Sequence, residues 1–120
     1  MLGTSSTCTF TLRDEYPHLL DIDNKDVRDS IELATRYIYR LLSSGEVKLR
    51  FKKNPPKLRV AYHTACHMEK LGWAYYSTEL LRMIPSVELI MLDSQCCGIG
   101  GTYGFKKENY ATAQSIGEPL

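Results

Sequence analysis

The stretch VELIMLDSQCCGIGG, residues 87–101, joins a short apolar run to two adjacent cysteines and three glycines. Val87–Leu92 reads as a buried strand, and the glycines read as a loop that ends it. Upstream, LRVAYH, Leu58–His63, reads as a second strand running into Cys66. Between the two, Leu71, Ala74, Tyr75, Leu81 and Ile84 predict a helix from about His67 to Ile84, stopped by Pro85. A further helix is predicted from roughly Lys106 to Ser115. Strand, helix, strand, helix with short links is the grammar of a parallel sheet with right-handed crossovers. The expected fold is α/β: a small parallel-type sheet flanked by helices, with a helical N-terminal segment.

That N-terminal segment is predicted from Val27, Ile31, Ala34, Ile38 and Leu41, which recur at spacings of three and four. They define one helix over about 24–43, with Asp23 able to cap its start and Gly45 able to end it. CTFTLRDEYPHLL, ahead of it, reads either as a short helix or as an extended piece broken at Pro17. VKLRF, Val47–Phe51, alternates apolar and basic residues like a short edge strand. KKNPP, 52–56, follows as the natural internal boundary, because two prolines remove donors and fix φ.

Composition narrows the function classes. The 120 residues match one modest domain, and 43% hydrophobic with 24% charged residues is ordinary for a globular chain. Fifteen basic against fourteen acidic residues leave a net charge of +1, so no overall field points to nucleic acid or to an anionic membrane. No apolar stretch is long enough to span a bilayer, and the first residues lack the pattern of a secretory signal. The expected compartment is the cytoplasm, where four cysteines read as thiols, metal ligands or redox groups rather than as a disulfide framework. The small polar opening TSSTCT and the abrupt close GEPL read as cut ends of a longer chain.

The cysteines carry the chemistry. Cys66 and the Cys96-Cys97 pair are separated by twenty-nine residues, and each lies after a predicted strand. Parallel sheets place functional loops beyond the carboxyl ends of their strands, so neighbouring strands would gather all three thiols at one edge. Adjacent side chains of an extended chain point to opposite faces, so Cys96 and Cys97 can face one centre only where the backbone bends. Gly98, Gly100 and Gly101 supply that bend and let backbone N–H groups approach a charged ligand. The combination fits an iron-sulfur cluster, whose irons take thiolates and whose sulfides take amide hydrogen bonds. Zinc held by thiolates with His63 or His67 is the alternative, although structural zinc sites usually pair their cysteines two to four residues apart. The two histidines are expected to be structural, and Cys8 alone reads as a small buried hydrophobe. Trp73 and Tyr75-Tyr76 read as core or interface residues.

GIGGTYGFKK, 98–107, is a poor phosphate loop. A P-loop would need glycine where Phe105 stands, and the dinucleotide fingerprint begun at Gly98 would need glycine at Tyr103. No serine, histidine and acid constellation marks a catalytic triad.

VAYHTACH followed by LDSQCCGIGGTYGFKKENY resembles the cysteine-rich CCG domain found in heterodisulfide reductase and in the iron-sulfur subunit of glycolate oxidase. The family pattern is a cysteine, thirty to forty residues, Cys-Cys-Gly, about thirty-five more and a closing Cys-x-x-Cys, usually occurring twice per polypeptide. Cys66, Cys96 and Cys97 match its first three positions, and the closing pair would fall beyond Leu120. SSTC, Ser5–Cys8, matches the close of a preceding repeat, with Ser5 where the family has cysteine. The resemblance implies a chain made of the end of one repeat, 1–51, a linker, 52–56, and most of a second, 57–120.

It also implies an electron-transfer role without substrate chemistry of its own. Cys66, Cys96 and Cys97, with Cys8 as a further candidate, would be metal ligands, and Gly98, Gly100 and Gly101 would shape the cofactor loop. The iron-sulfur cluster would belong to the full-length protein and be absent or incomplete in this segment. The implied partners are flavin-containing dehydrogenase subunits and, through the complex, the membrane quinone pool. The implied location is the inner face of the cytoplasmic membrane. A thiol-redox or zinc module and a docking domain with structural cysteines remain as alternatives.

Overall fold

A computed structural model describes residues 1–120. The centre of the fold is a parallel pair, β3 (Leu58–Tyr62) and β4 (Val87–Met91), in register from Leu58 opposite Val87 to Tyr62 opposite Met91. The connection between them is helical, as parallel strands require. It is made of α5 (Cys66–Leu71) and α6 (Ala74–Arg82), not of one helix. Gly72, at φ 69°, takes the left-handed conformation that caps α5, and its N–H returns to the Glu69 carbonyl at 2.8 Å. The expected helix from His67 to Ile84 is therefore interrupted at Gly72-Trp73, where Trp73 turns inward and is only 8% exposed.

The N-terminal part departs from expectation in three places. CTFTLRDEYPHLL lies in one continuous helical run: α1 (Ser6–Phe10), a π-helical segment (Thr11–Glu15) and α2 (Tyr16–Leu20). Pro17 sits in the first turn of α2 and carries no N–H to offer its preceding turn. The Asn24 side chain supplies the missing donor, giving hydrogen bonds of 2.6 Å to the Leu12 carbonyl and 3.3 Å to the Arg13 carbonyl.

The helix expected over 24–43 is two helices, α3 (Lys25–Ser30) and α4 (Ala34–Ser43). Between them the chain extends as β2 (Glu32–Leu33), which pairs in parallel with β1 (Leu2–Gly3). Ile31 and Leu33, 3% and 2% exposed, are buried by that break, while Val27 and Ile38 stay exposed. Asp23 does cap the start, accepting from the Lys25 N–H at 3.0 Å, and Gly45 follows the end at φ 79°. VKLRF forms no strand: both sheets are complete without it, and its alternating residues find no edge to pair with.

Past β4, two 3-10 turns (Tyr103–Phe105 and Lys107–Asn109) precede α7 (Tyr110–Gly117), so the last helix starts later than Lys106. The residues on either side of 52–56 pack together. Phe10 stacks on His67 at 5.3 Å, Tyr39 meets Tyr75 edge-on at 5.7 Å, and the Ser77 hydroxyl donates to Thr35 at 3.2 Å. The result is a flat body, 49 × 39 × 19 Å, whose radius of gyration of 17.3 Å exceeds the roughly 14 Å of a compact chain this long. Eight residues are fully buried, which leaves the strand-end loops open at the surface. No helix is long and apolar enough to cross a membrane.

Candidate functional site

The parallel register decides where the thiols go. Because β3 and β4 run side by side in the same direction, the turn carrying Cys66 and the loop carrying Cys96 and Cys97 leave the same edge. All three cysteines line one cavity of about 240 Å³, together with His63, His67, Ile99, Gly100 and Gly101. The strand-end juxtaposition expected from sequence is present, and so is the bend that turns two neighbouring thiols to one space. Gly98, Gly100 and Gly101 have φ of 77°, 51° and 64°, a region that residues with a Cβ rarely enter.

Local contacts hold the two loops together. The His63 Nε2–H donates to the Gln95 carbonyl at 2.8 Å, tying the end of β3 to the residue before Cys96. The Ser94 hydroxyl donates to Glu69 on α5 at 3.0 Å. His67 is engaged from the other side, with Nδ1 3.0 Å from the Thr7 hydroxyl and its ring on Phe10. Both histidines thus have structural partners, in keeping with the expectation from sequence. Thr7 brings α1 to the cavity wall. Cys8, the next residue, is exposed rather than buried and does not line the cavity, because the helical turn carries its side chain away from Thr7.

The electrostatics favour thiols that wait for a positive partner. Burial pushes the Cys66 thiol above the ordinary cysteine range, and the neighbouring Cys96 raises it further by repulsion and by a side-chain hydrogen bond. The Gly98 N–H points at the Cys96 sulfur from 3.4 Å, a backbone dipole suited to a thiolate. No group of three or more cysteine, histidine or acidic side chains converges closely enough to hold a single metal ion. A cluster spreads its ligation over several irons, so thiols that line one cavity without meeting at a point suit it better than they suit zinc.

Backing from α7 was not legible in the motif. The Cys-Cys-Gly loop lies directly on that helix, backbone against backbone: a Cβ on Gly98 would overlap the Ala113 carbonyl oxygen. One on Gly117 would come within 2.7 Å of the Cys97 carbonyl. A glycine inside a helical pattern, such as Gly117, is the sequence signal for such an approach.

A small α/β unit with a thiol-lined cavity at its strand ends is the architecture of a cysteine-rich redox domain. The signature of the cysteine-rich CCG domain family matches residues 60–119, and the chain belongs to that family. It is 62% identical, over its whole length, to the cysteine-rich subunit of anaerobic glycerol-3-phosphate dehydrogenase from Escherichia coli strain K12, of which it spans 30%. It is 30% identical over 115 residues to lactate utilization protein A of Oceanobacillus iheyensis, covering 88% of this chain and 45% of that one. An uncharacterized iron-sulfur protein of Methanocaldococcus jannaschii is 33% identical over 96 residues, which are 78% of this chain and 16% of that protein. No solved structure matches. The chain thus spans less than a third of the first of these relatives.

Proposed function

We propose that this chain is part of an iron-sulfur electron-transfer subunit that carries electrons from a flavin-dependent glycerol-3-phosphate dehydrogenase toward the membrane quinone pool. The observation that carries the proposal is the gathering of Cys66, Cys96 and Cys97 around one cavity at the ends of two parallel strands. The 62% identity to the Escherichia coli dehydrogenase chain supports the choice of dehydrogenase. Residues 1–51 are the end of a first CCG-type repeat, 52–56 a linker and 57–120 most of a second.

In this reading the three thiolates bind iron, and the glycine backbone at 98, 100 and 101 admits sulfide close to its N–H groups. A bound cluster supplies one-electron redox chemistry of a kind no side chain here has. His63, by holding Gln95, fixes the loop so that Cys96 and Cys97 keep a common direction. Flavin-containing dehydrogenase subunits are the partners, and the assembly sits on the inner face of the cytoplasmic membrane without a spanning helix from this chain.

Iron and acid-labile sulfide measured after anaerobic purification test the proposal, on this chain and on a version extended through the closing Cys-x-x-Cys. The extended protein is expected to be coloured and to lose most of its iron in Cys66→Ser, while the 120-residue chain binds little. A colourless, iron-free extended protein would refute the proposal, and stoichiometric zinc in it would replace iron with a structural metal.

A further inference from the structure

Four arginines converge elsewhere on the fold, around a cavity of about 490 Å³ that shares no residue with the thiol cavity. Arg13 comes from the π-helical segment, Arg28 from α3, and Arg36 and Arg40 from α4. We propose that this cavity binds a phosphate group, as the free dianion or as a phosphomonoester; the inference stands independently of the iron-sulfur reading.

The arginines are held without being satisfied. Trp73, buried under the cavity, has the Arg13 guanidinium 5.0 Å from its ring centroid and that of Arg36 at 4.7 Å. Arg36 also lies 5.7 Å from the Tyr76 ring. Stacking fixes these long side chains while leaving the N–H groups at their edges free.

The hydrogen-bond account is short. Arg13 donates to the Arg28 carbonyl at 3.0 Å, and Arg40 donates to Glu32 at 2.6 Å. The remaining carboxylate approaches are longer: Arg13 to Asp14 at 3.5 Å, Arg28 to Asp14 at 3.8 Å and Arg36 to Glu32 at 3.8 Å. These exceed the roughly 3.2 Å limit of a good N–H···O bond. The Nε of Arg36 is buried and meets no acceptor at all, a costly state for a charged donor.

Charge fixes the class of ligand. Against the four arginines the lining sets two carboxylates, Asp29 and Glu32, for a net of +2, which Asp14 beside it reduces to +1. A tetrahedral dianion balances that charge and can accept from donors arriving from three elements at once, whereas a planar carboxylate engages one guanidinium fork. Glu32 is the competing acceptor, and it places the expected affinity in the range of a weak metabolite site.

Trp73 is the single tryptophan and lies under two of the arginines, so its emission reports on the cavity. The purified protein is titrated with inorganic phosphate, with methyl phosphate and with acetate, each at ionic strength held constant with sodium chloride. A saturable change in emission is expected with both phosphates, and acetate should need at least about tenfold higher concentration. Equal affinity for the two phosphates means that the site reads the phosphoryl group alone; tighter binding of the ester means that it reads more, and either result supports the site. Arg36→Lys keeps the charge but loses the fork and Nε, and should weaken binding about tenfold. Arg28→Ala, at an exposed side chain away from Trp73, should weaken it with no change in the phosphate-free spectrum. A response that rises linearly without saturating, that acetate reproduces at the same concentration, or that both variants retain unchanged would overturn the proposal.

Discussion

Replacing Gly98 by alanine tests whether the cysteine loop is held by its seat on α7. Two costs add at this position. The backbone has φ 77°, and placing a Cβ in the left-handed region costs about 1–2 kcal/mol. The new methyl would also overlap the Ala113 carbonyl oxygen and lie 3.1 Å from the Gly117 nitrogen, both backbone atoms of a helix that cannot rotate aside. Overpacking of that kind costs about 1–3 kcal/mol. Gly101→Ala is the matched control, since φ is 64° and nothing lies within 4 Å of the added carbon, so it carries only the conformational cost. Urea unfolding followed by circular dichroism should show Gly98→Ala destabilised by about 2–5 kcal/mol and Gly101→Ala by about 1–2 kcal/mol. Labelling of Cys97 should also become faster in Gly98→Ala, as the loop lifts from the helix. Equal destabilisation by the two variants would refute the backbone contact as the thing that seats the loop.

Gly117→Ala should reverse the usual rule: alanine normally stabilises a helix by about 1 kcal/mol over glycine, but here its Cβ would meet the Cys97 carbonyl at 2.7 Å. Loss of stability in the same urea assay is the expected sign. Asn24→Ala should cost about 1–2 kcal/mol, because the Leu12 and Arg13 carbonyls lose the donor that replaces the missing proline N–H; a thermal melt unchanged from the parent would count against it. The Cys66 thiol, raised by burial and by Cys96, should react with iodoacetamide more slowly at pH 8 in the folded protein than in urea, with the gap closing toward pH 10. A raised thiol gives stability that is full below the unfolded cysteine pKa and is lost as pH rises through the folded one. Stability should therefore fall on the alkaline side, and Cys66→Ser should flatten that slope; a parallel slope in the variant would argue against the shift.

Much of the site was legible in sequence, because strand propensity, glycine conformational freedom and thiol chemistry are local properties. The two strands, their parallel grammar, the placement of Cys66, Cys96 and Cys97 beyond them and the bend at Gly98, Gly100 and Gly101 all follow from neighbours in the chain. The helix boundaries followed less well. Nothing local to residues 31–33 favours extension; the break exists because β1, some thirty residues earlier, offers a partner. Likewise the apolar alternation of VKLRF met no strand edge, and Gly72 ended a helix whose periodicity continued through it.

The sequence by itself determined that this chain is α/β and that its chemistry is thiol chemistry at the ends of strands. Only the tertiary structure decided what closes around that chemistry: α7 under the loop, His63 clasping Gln95, and α1 bringing Thr7 to the cavity but leaving Cys8 outside it. It alone brought four arginines from three elements around Trp73. The reason is range: a motif records what adjacent residues can do, whereas a site is completed by residues sixty positions apart, such as Thr7 and His67, that meet when separate elements pack.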